Sequence, residues 1–289
     1  MILKIGKKIT LASLAAATLL ICSSCSSSET MPPTTSQSSS KILPSDPIQM
    51  TGTENTDGTN ISTLDNTTRG WGPGTAKDGA RPYSAVSFNQ KYEKYNALFI
   101  GEDTNKIYLT FDEGYENGYT APILDTLKDK KVKAVFFVTY DYVKRNPQLV
   151  RRMIDEGHTL GNHSWSHPSM PSCSEDEARE EIMKLHNLVK DEFGYCMRLF
   201  RFPMGEFSDK TLAIVKRCNY QSVFWSYAYV DWNVDNQPDE QTALKKVSDG
   251  AHNGAIYLLH AVSKTNSNIL GELIEKVRDN GYVWSEYDL

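Results

Sequence analysis

The sequence predicts an α/β protein built on a parallel sheet or closed barrel of roughly seven strands, covered by helices. Three observations carry that expectation. From about Pro82 onward, short apolar runs alternate with amphipathic stretches, the rhythm of βαβ units. Helix start and stop signals fall between the runs: Ser174 with Glu177 makes a capping box, and Gly157 and Gly194 stand where helices should end. Finally, Asp112, His163, Arg201, Asp231 and His260 each fall at or just after a predicted strand end. In parallel α/β architectures, chemistry collects at the carboxyl ends of the strands.

The elements follow in order. Residues 107–111 alternate and branch like a strand, and 121–131 suit a helix with Ile123, Leu124 and Leu127 on one face. Residues 134–139 form an apolar run closed by Thr139, as a buried strand does. Pro147 opens a helix whose stripe is Leu149, Val150, Met153 and Ile154, and Gly157 ends it. A short strand over 159–162 delivers His163. A long helix runs from the Ser174 cap to Phe193. Residues 198–202 can be a strand, and Ser208 caps a helix reaching Cys218. Residues 221–225 read as a strand, 238–250 as a helix, 255–259 as a strand ending at His260, and 267–280 as a last helix before Tyr282-Val283-Trp284.

Composition narrows what lies outside that pattern. The chain has 289 residues, 39% hydrophobic and 23% charged, enough for a packed core. Formal net charge is −5, with Lys and Arg scattered, so there is no basic stripe and nucleic acid is excluded as a partner. Residues 1–25 read as a targeting leader: Lys4, Lys7 and Lys8 precede an apolar run too short for a membrane-spanning helix. Ser23-Ser24-Cys25 resembles a bacterial lipobox, with Cys22 where an aliphatic residue is usual. Lipidation at Cys25, ordinary signal cleavage and an uncleaved anchor stay open. An exported, extracytoplasmic protein is expected, touching membrane only through that leader or lipid. Residues 26–81 are Ser/Thr-rich with few large apolar side chains and read as a flexible spacer. Residues 82–289 are left as a single catalytic domain, expected to act as a monomer. Past the leader only Cys173, Cys196 and Cys218 remain, so a disulfide framework is not expected, although one bridge is compatible with export.

The chemistry begins with two segments. Leu109-Thr110-Phe111-Asp112-Glu113-Gly114 puts adjacent carboxylates at the end of an apolar run. Asn162-His163-Ser164-Trp165-Ser166-His167-Pro168 puts two imidazoles four residues apart in a stretch that Pro168 keeps from being helical. Together they offer a divalent metal two imidazoles, one or two carboxylates and an open position, the needs of a hydrolytic metal centre. If the strand persists, Asp112 and Glu113 point opposite ways. One can then meet the metal while the other handles a proton. His158, His186 and His252 lack strand-end or carboxylate context and read as structural or surface residues.

Five motifs then come in order: Phe111-Asp112-Glu113-Gly114, His163-Ser164-Trp165-Ser166-His167, Arg201-Phe202-Pro203-Met204-Gly205, Asp231-Trp232 and Leu258-Leu259-His260. This set resembles the polysaccharide deacetylases, carbohydrate esterase family 4 or the NodB-homology domain, over residues 82–289. The resemblance implies a distorted (β/α)7 barrel and metal-dependent removal of N-acetyl groups from a glycan. It implies that Asp112 is the general base, that His163 and His167 hold the metal, and that Arg201 keeps the base ionised. It further implies that Met204, where the family often has Tyr, gives a backbone N–H to the oxyanion. His260 would be the general acid backed by Asp231, and Trp232 would line the acetyl pocket. The metal implied is divalent, zinc first, with cobalt or manganese as alternatives. The roles make physical sense, because an amine leaves only when protonated and an imidazolium backed by a carboxylate supplies that proton.

Two departures matter. Many members carry Asp, as third ligand, where this chain has Glu113. Glu113 reaches the ion directly, reaches it through water, or leaves it to two histidines and solvent. Ala228 stands where the fourth motif often has an Asp. Phe111 to Tyr119, Tyr229-Val230-Asp231-Trp232 and the seven residues from Leu258 to Lys264 resemble the delta-lactam-biosynthetic deacetylases of spore formers. That subgroup implies N-acetylmuramic acid in a peptidoglycan strand as substrate and muramic delta-lactam in spore cortex as the outcome. Lys264 reads as a solvated lysine in preference to a contact for the lactyl carboxylate. An N-acetylglucosamine deacetylase acting on peptidoglycan or chitin oligomers is the rival reading. A non-catalytic glycan-binding module is the rival from another class, and the retained proton-transfer residues argue against it.

Overall fold

The computed structural model describes residues 60–74 and 79–287. The leader, Cys25 and most of the proposed spacer lie outside the described residues. In chain order the elements are β1 (Arg69–Gly70), α1 (Tyr83–Tyr92), β2 (Ala97–Leu98), β3 (Lys106–Glu113), α2 (Thr120–Lys130), β4 (Val135–Val138), α3 (Tyr140–Arg145), α4 (Pro147–Asp155), β5 (Thr159–Asn162), α5 (Glu175–Phe193), β6 (Leu199–Phe200), β7 (Glu206–Phe207), α6 (Asp209–Arg217), β8 (Gln221–Val223), β9 (Tyr227–Ala228), α7 (Glu240–Asp249), β10 (Ile256–His260), α8 (Lys264–Asp279) and β11 (Val283–Trp284).

Eight strands form one curled parallel sheet in the order β2-β8-β6-β5-β4-β3-β10-β9, a half-barrel. β11 adds a parallel partner at the start of β3, Val283 opposite Lys106. Among the described residues no ladder joins β2 to β9, so the expected (β/α)7 barrel is distorted by being open at that seam. Helices cover the sheet, with α7 against α8, α8 against α2 and α5 against α6. Strands β3 and β4 at the middle are buried almost throughout, which fits a sheet covered on both faces.

Local chemistry sets the element ends. Ser174 accepts from the Glu177 N–H while the Glu177 carboxylate accepts from Ser174 N–H, so the capping box forms. Gly194 closes α5 at φ +67°, a left-handed conformation that favours glycine. Gly161 has a different reason. A Cβ there would come within 2.4 Å of the Phe137 ring on β4, so only glycine lets β5 approach and deliver Asn162 and His163. The strand predicted over 198–202 is only Leu199–Phe200, since the chain turns away at Pro203. The run predicted as one strand over 221–225 stops at Val223, and β9 follows as a separate strand. His158, His186 and His252 are buried and hydrogen-bonded to Ala134 N–H, the Tyr220 hydroxyl and Ser226 with Gly250 O, so they are structural. Cys173, Cys196 and Cys218 form no disulfide.

Residues 60–74, placed by composition in the spacer, pack on the domain. Ile61 is fully buried, and β1 pairs with β7. The Trp71 indole lies edge-on to Phe99 and its Nε1–H donates to Trp225 O at 2.9 Å. Two apolar anchors suffice to hold a stretch that is otherwise polar. Trp71→Ala is therefore expected to lower stability by about 3–5 kcal/mol, the usual cost of emptying a buried aromatic site. Chemical denaturation measures it. A loss under about 1 kcal/mol would mean the segment is not part of the fold.

Candidate active site

β3 and β10 lie side by side with Asp112 in register with His260. Their carboxyl ends therefore present a carboxylate and an imidazole to one mouth of the half-barrel. Asp112 is buried, and its Oδ1 accepts from Arg201 Nη1 at 2.9 Å. Its Oδ2 lies 3.6 Å from His163 Nε2. Burial alone would raise the Asp112 carboxyl, but the Arg201 charge, helped by His163 and His260, holds it below the ordinary 3.8.

Arg201 follows β6 and has no exposed surface. Its donors are matched: Nε to Val223 O at 3.0 Å, Nη2 to Phe224 O at 3.1 Å, Nη1 to Thr110 Oγ1 at 2.7 Å as well as to Asp112. The Thr110 hydroxyl passes its own proton to Tyr257 O. The guanidinium also lies 4.1 Å from the Phe137 ring centroid. A buried cation survives only with this degree of compensation.

Asp231 is likewise fully buried, on the loop after β9. Its Oδ1 pairs with His260 Nδ1 at 2.7 Å and its Oδ2 accepts from His260 N–H at 2.8 Å. A third donor, Asn266 Nδ2 from the first turn of α8, reaches the same Oδ2 at 2.6 Å. Burial would lower the His260 imidazole, yet the Asp231 hydrogen bond and charge raise it above 6.5. With Nδ1 held by Asp231, Nε2 is the nitrogen left for the cleft.

The two remaining imidazoles sit on the loop after β5. Ser164 and His167 take left-handed φ values of +70° and +60°. The turn is held by Asn162 Oδ1 accepting Ser164 N–H at 2.9 Å and by Ser164 Oγ accepting His167 N–H at 2.9 Å. The rings end 4.8 Å apart at 75°. His163 Nδ1 donates to Arg201 O at 2.9 Å, which leaves the Nε2 lone pair free on the Asp112 side. Burial lowers both imidazoles, His163 to about 4, so both favour the neutral form, the one in which an imidazole can bind a metal.

Glu113 is not brought to these histidines. β3 continues through Glu113, so its side chain leaves the sheet on the face opposite Asp112. It is fully buried, and neither carboxylate oxygen has a hydrogen-bond partner among the described residues. Burial, with the charges of Glu116 and Asp112, drives its pKa well above 4.5, so it is a neutral acid. Of the three alternatives for Glu113, strand alternation favours the one that leaves the ion to the two histidines and solvent. Among the described residues no group of three or more His, Cys, Asp or Glu gathers for a metal. The donor set that fits an ion is the neutral imidazole pair, with Asp112 alongside. Met204 takes φ +56° just past Arg201 and is more than half exposed, as is Trp232 beside Asp231. Sequence reasoning did not single out Asn266, and it named Tyr229, whose hydroxyl donates to Asn266 Oδ1, only as part of a matching segment.

A sequence profile described as polysaccharide deacetylase matches residues 101–223, from before β3 to the end of β8. The chain is 42% identical over 220 residues to the peptidoglycan-N-acetylmuramic acid deacetylase PdaA of Bacillus subtilis, covering 75% of this chain and 84% of that one. This chain belongs to the polysaccharide deacetylase family. The solved structure of B. subtilis PdaA, a family 4 carbohydrate esterase, superposes with a TM-score of 0.74 at 40% identity, over 77% of this chain and 96% of that one. A family 4 carbohydrate esterase from Bacillus anthracis gives 0.64 at 39% identity, over 77% and 95%. The protein is a hydrolase acting on the amide bond of N-acetyl groups. The family generally uses a divalent metal.

Glu113→Gln tests the placement of that carboxyl. Divalent-ion affinity, read by calorimetry, should change far less than the roughly 10–100-fold that even an outer-shell alteration costs. A raised acid contributes stability that is full below the unfolded value of 4.5 and is lost as pH rises toward the folded value. Gln carries no such loss. The variant should match wild type in denaturation below 4.5 and exceed it increasingly above.

Proposed function

We propose that this chain is an exported peptidoglycan N-acetylmuramic acid deacetylase, with Asp112 as general base and His260 as general acid. The observation that carries the reading is the register of Asp112 with His260, each tied to a buried partner of complementary charge. The two pairs push the acid and the base apart in pKa: the carboxyl is held low by Arg201 and the imidazole high by Asp231. Asp112 is then ready to accept a proton from water when His260 is ready to donate one to the departing amine.

His163 and His167 are the residues that would hold the metal, zinc in this reading. When bound, a divalent ion supplies Lewis acidity toward the acetyl carbonyl and the attacking water. The protein supplies the rest. Arg201 keeps Asp112 ionised, Asp231 fixes the imidazole so that Nε2 faces the scissile nitrogen, and the Met204 N–H is a donor for the oxyanion. Exposed Trp232 beside Asp231 and Tyr115 just past Glu113 offer apolar surface to the sugar and the acetyl methyl.

Muramic over glucosamine specificity is supported by the likeness to PdaA and by the matching subgroup segments. Delta-lactam formation in spore cortex extends the same reading, because a freed muramic amine sits near its own lactyl carboxyl. Export, with a lipid at Cys25, rests on the leader sequence alone.

Mass spectrometry of peptidoglycan fragments after treatment with metal-loaded protein tests the substrate. Acetate loss confined to muramic residues is expected, and loss confined to glucosamine would overturn the specificity. Asp112→Asn and His260→Ala should each lower kcat by roughly 10²–10⁴-fold. The pH dependence has a defined sign. Activity should fall as pH rises through the His260 value above 6.5, because the acid is deprotonated there. Asp112 itself does not limit activity on the acid side until below 3.8, because its carboxyl stays ionised down to its lowered value.

A further inference from the structure

We propose that Asn266 and Tyr229 form a positioning unit that sets the orientation and proton affinity of the Asp231–His260 pair. The inference rests on the reading of that pair as the proton donor. Asp231 is fully buried and its Oδ2 accepts two donors, His260 N–H at 2.8 Å and Asn266 Nδ2 at 2.6 Å. The second Asn266 proton reaches His260 O at 3.2 Å. One amide therefore grips both members of the pair, the carboxylate of one and the backbone of the other.

The amide itself is oriented from behind. The Tyr229 hydroxyl donates to Asn266 Oδ1, so the NH2 group must face Asp231. The opposite flip would set a carbonyl oxygen against a buried carboxylate and a hydroxyl proton against an NH2. Tyr229 is buried, and burial together with the Asp231 charge raises its phenol, so it stays a neutral donor. Tyr229 comes from the end of β9 and Asn266 from α8, so the unit ties two elements across the acid's carboxylate.

The surrounding backbone has supports besides this amide, among them Ser263 N–H on His260 O at 3.3 Å. Ser263 Oγ accepts from the Asn266 backbone N–H at 3.1 Å, a cap that any residue at this position keeps. Gln237 holds the Asp231 loop separately, donating to Asp231 O at 2.9 Å and to Asn233 O at 2.7 Å while accepting from Ser263 Oγ. The Asn266 side chain is thus available to act on charge and orientation instead of on folding.

The electrostatic sign follows. A donor on Oδ2 spreads the Asp231 negative charge and weakens its hold on the imidazolium. Removing it concentrates the negative charge beside the imidazolium, retains the His260 proton to higher pH and lets the ring tilt. The other charged or titratable groups facing His260 are Asp112 on β3, Arg201 after β6 and His167 on the loop after β5. None of them touches Asn266 in a hydrogen bond.

The test uses the full metal-loaded chain with an N-acetylated glycan, comparing Asn266→Ala, Tyr229→Phe and His260→Ala with wild type. Asn266→Ala should lower kcat roughly 10–100-fold with KM nearly unchanged, and should move the alkaline limb of the pH profile upward. Tyr229→Phe should do the same to a smaller degree. A lowered melting temperature with kcat and the alkaline limb both unchanged, in a background where His260→Ala is inactive, would overturn the positioning role and leave the reading of the pair intact. Full activity in His260→Ala would overturn that reading and this inference with it. If Asn266→Ala does not fold, Tyr229→Phe decides by the same two readouts.

Discussion

Arg201 carries its charge with no exposed surface, and the arrangement of the site follows from what that costs. Removing a guanidinium from water is affordable only when its protons and its charge are met. Val223 O and Phe224 O meet two donors on one side, Thr110 and Asp112 meet the others, and Phe137 lies against the plane. These partners come from β3, β4 and the end of β8, so the cation joins strands on both sides of β6. Its own carbonyl then orients His163, by accepting the Nδ1–H. A single residue therefore fixes the ionisation of Asp112 and the tautomer of His163. Losing one partner of such a pair leaves the other buried and uncompensated, at a cost of about 3–5 kcal/mol.

The same logic is repeated with reversed sign on the other side of the site. There a buried carboxylate, Asp231, is the fixed charge, and the imidazole is the group tuned by it. The two halves meet because parallel strands β3 and β10 put Asp112 and His260 in register. Preorganisation of this kind lets proton acceptor and donor hold their charge states before substrate arrives. Asn266 and Tyr229 complete the second half as Thr110 completes the first: a neutral polar group, itself oriented, meets a remaining hydrogen-bonding site of a buried ion, Asn266 by donating to Asp231 and Thr110 by accepting from Arg201.

Much of this was legible in the sequence. Asp112, His163, Arg201, Asp231 and His260 were readable because each falls at or just after a predicted strand end, and a parallel sheet brings such ends together whatever the details of its packing. The capped helix α5 and the glycine stops were readable because capping is local chemistry. What escaped was set by tertiary contacts. Residues 60–74 look like spacer because only Ile61 and Trp71 anchor them, and composition averages over two side chains. Glu113 was ambiguous because nothing local says whether β3 ends before it or after it, and one further residue of strand turns the side chain to the opposite face. Asn266 looks like an ordinary first-turn polar residue until α8 is docked beneath Asp231.

The central claim is that the buried Arg201–Asp112 pair keeps the proposed base, Asp112, ionised. The most direct measurement is a 13C NMR titration of the Asp112 side-chain carboxyl, with Asp112→Asn used to assign the signal. The claim predicts a carboxylate signal throughout the pH range in which the protein is folded, with any midpoint below 3.8. A midpoint above 3.8 in the folded protein would contradict it, because burial would then outweigh the guanidinium.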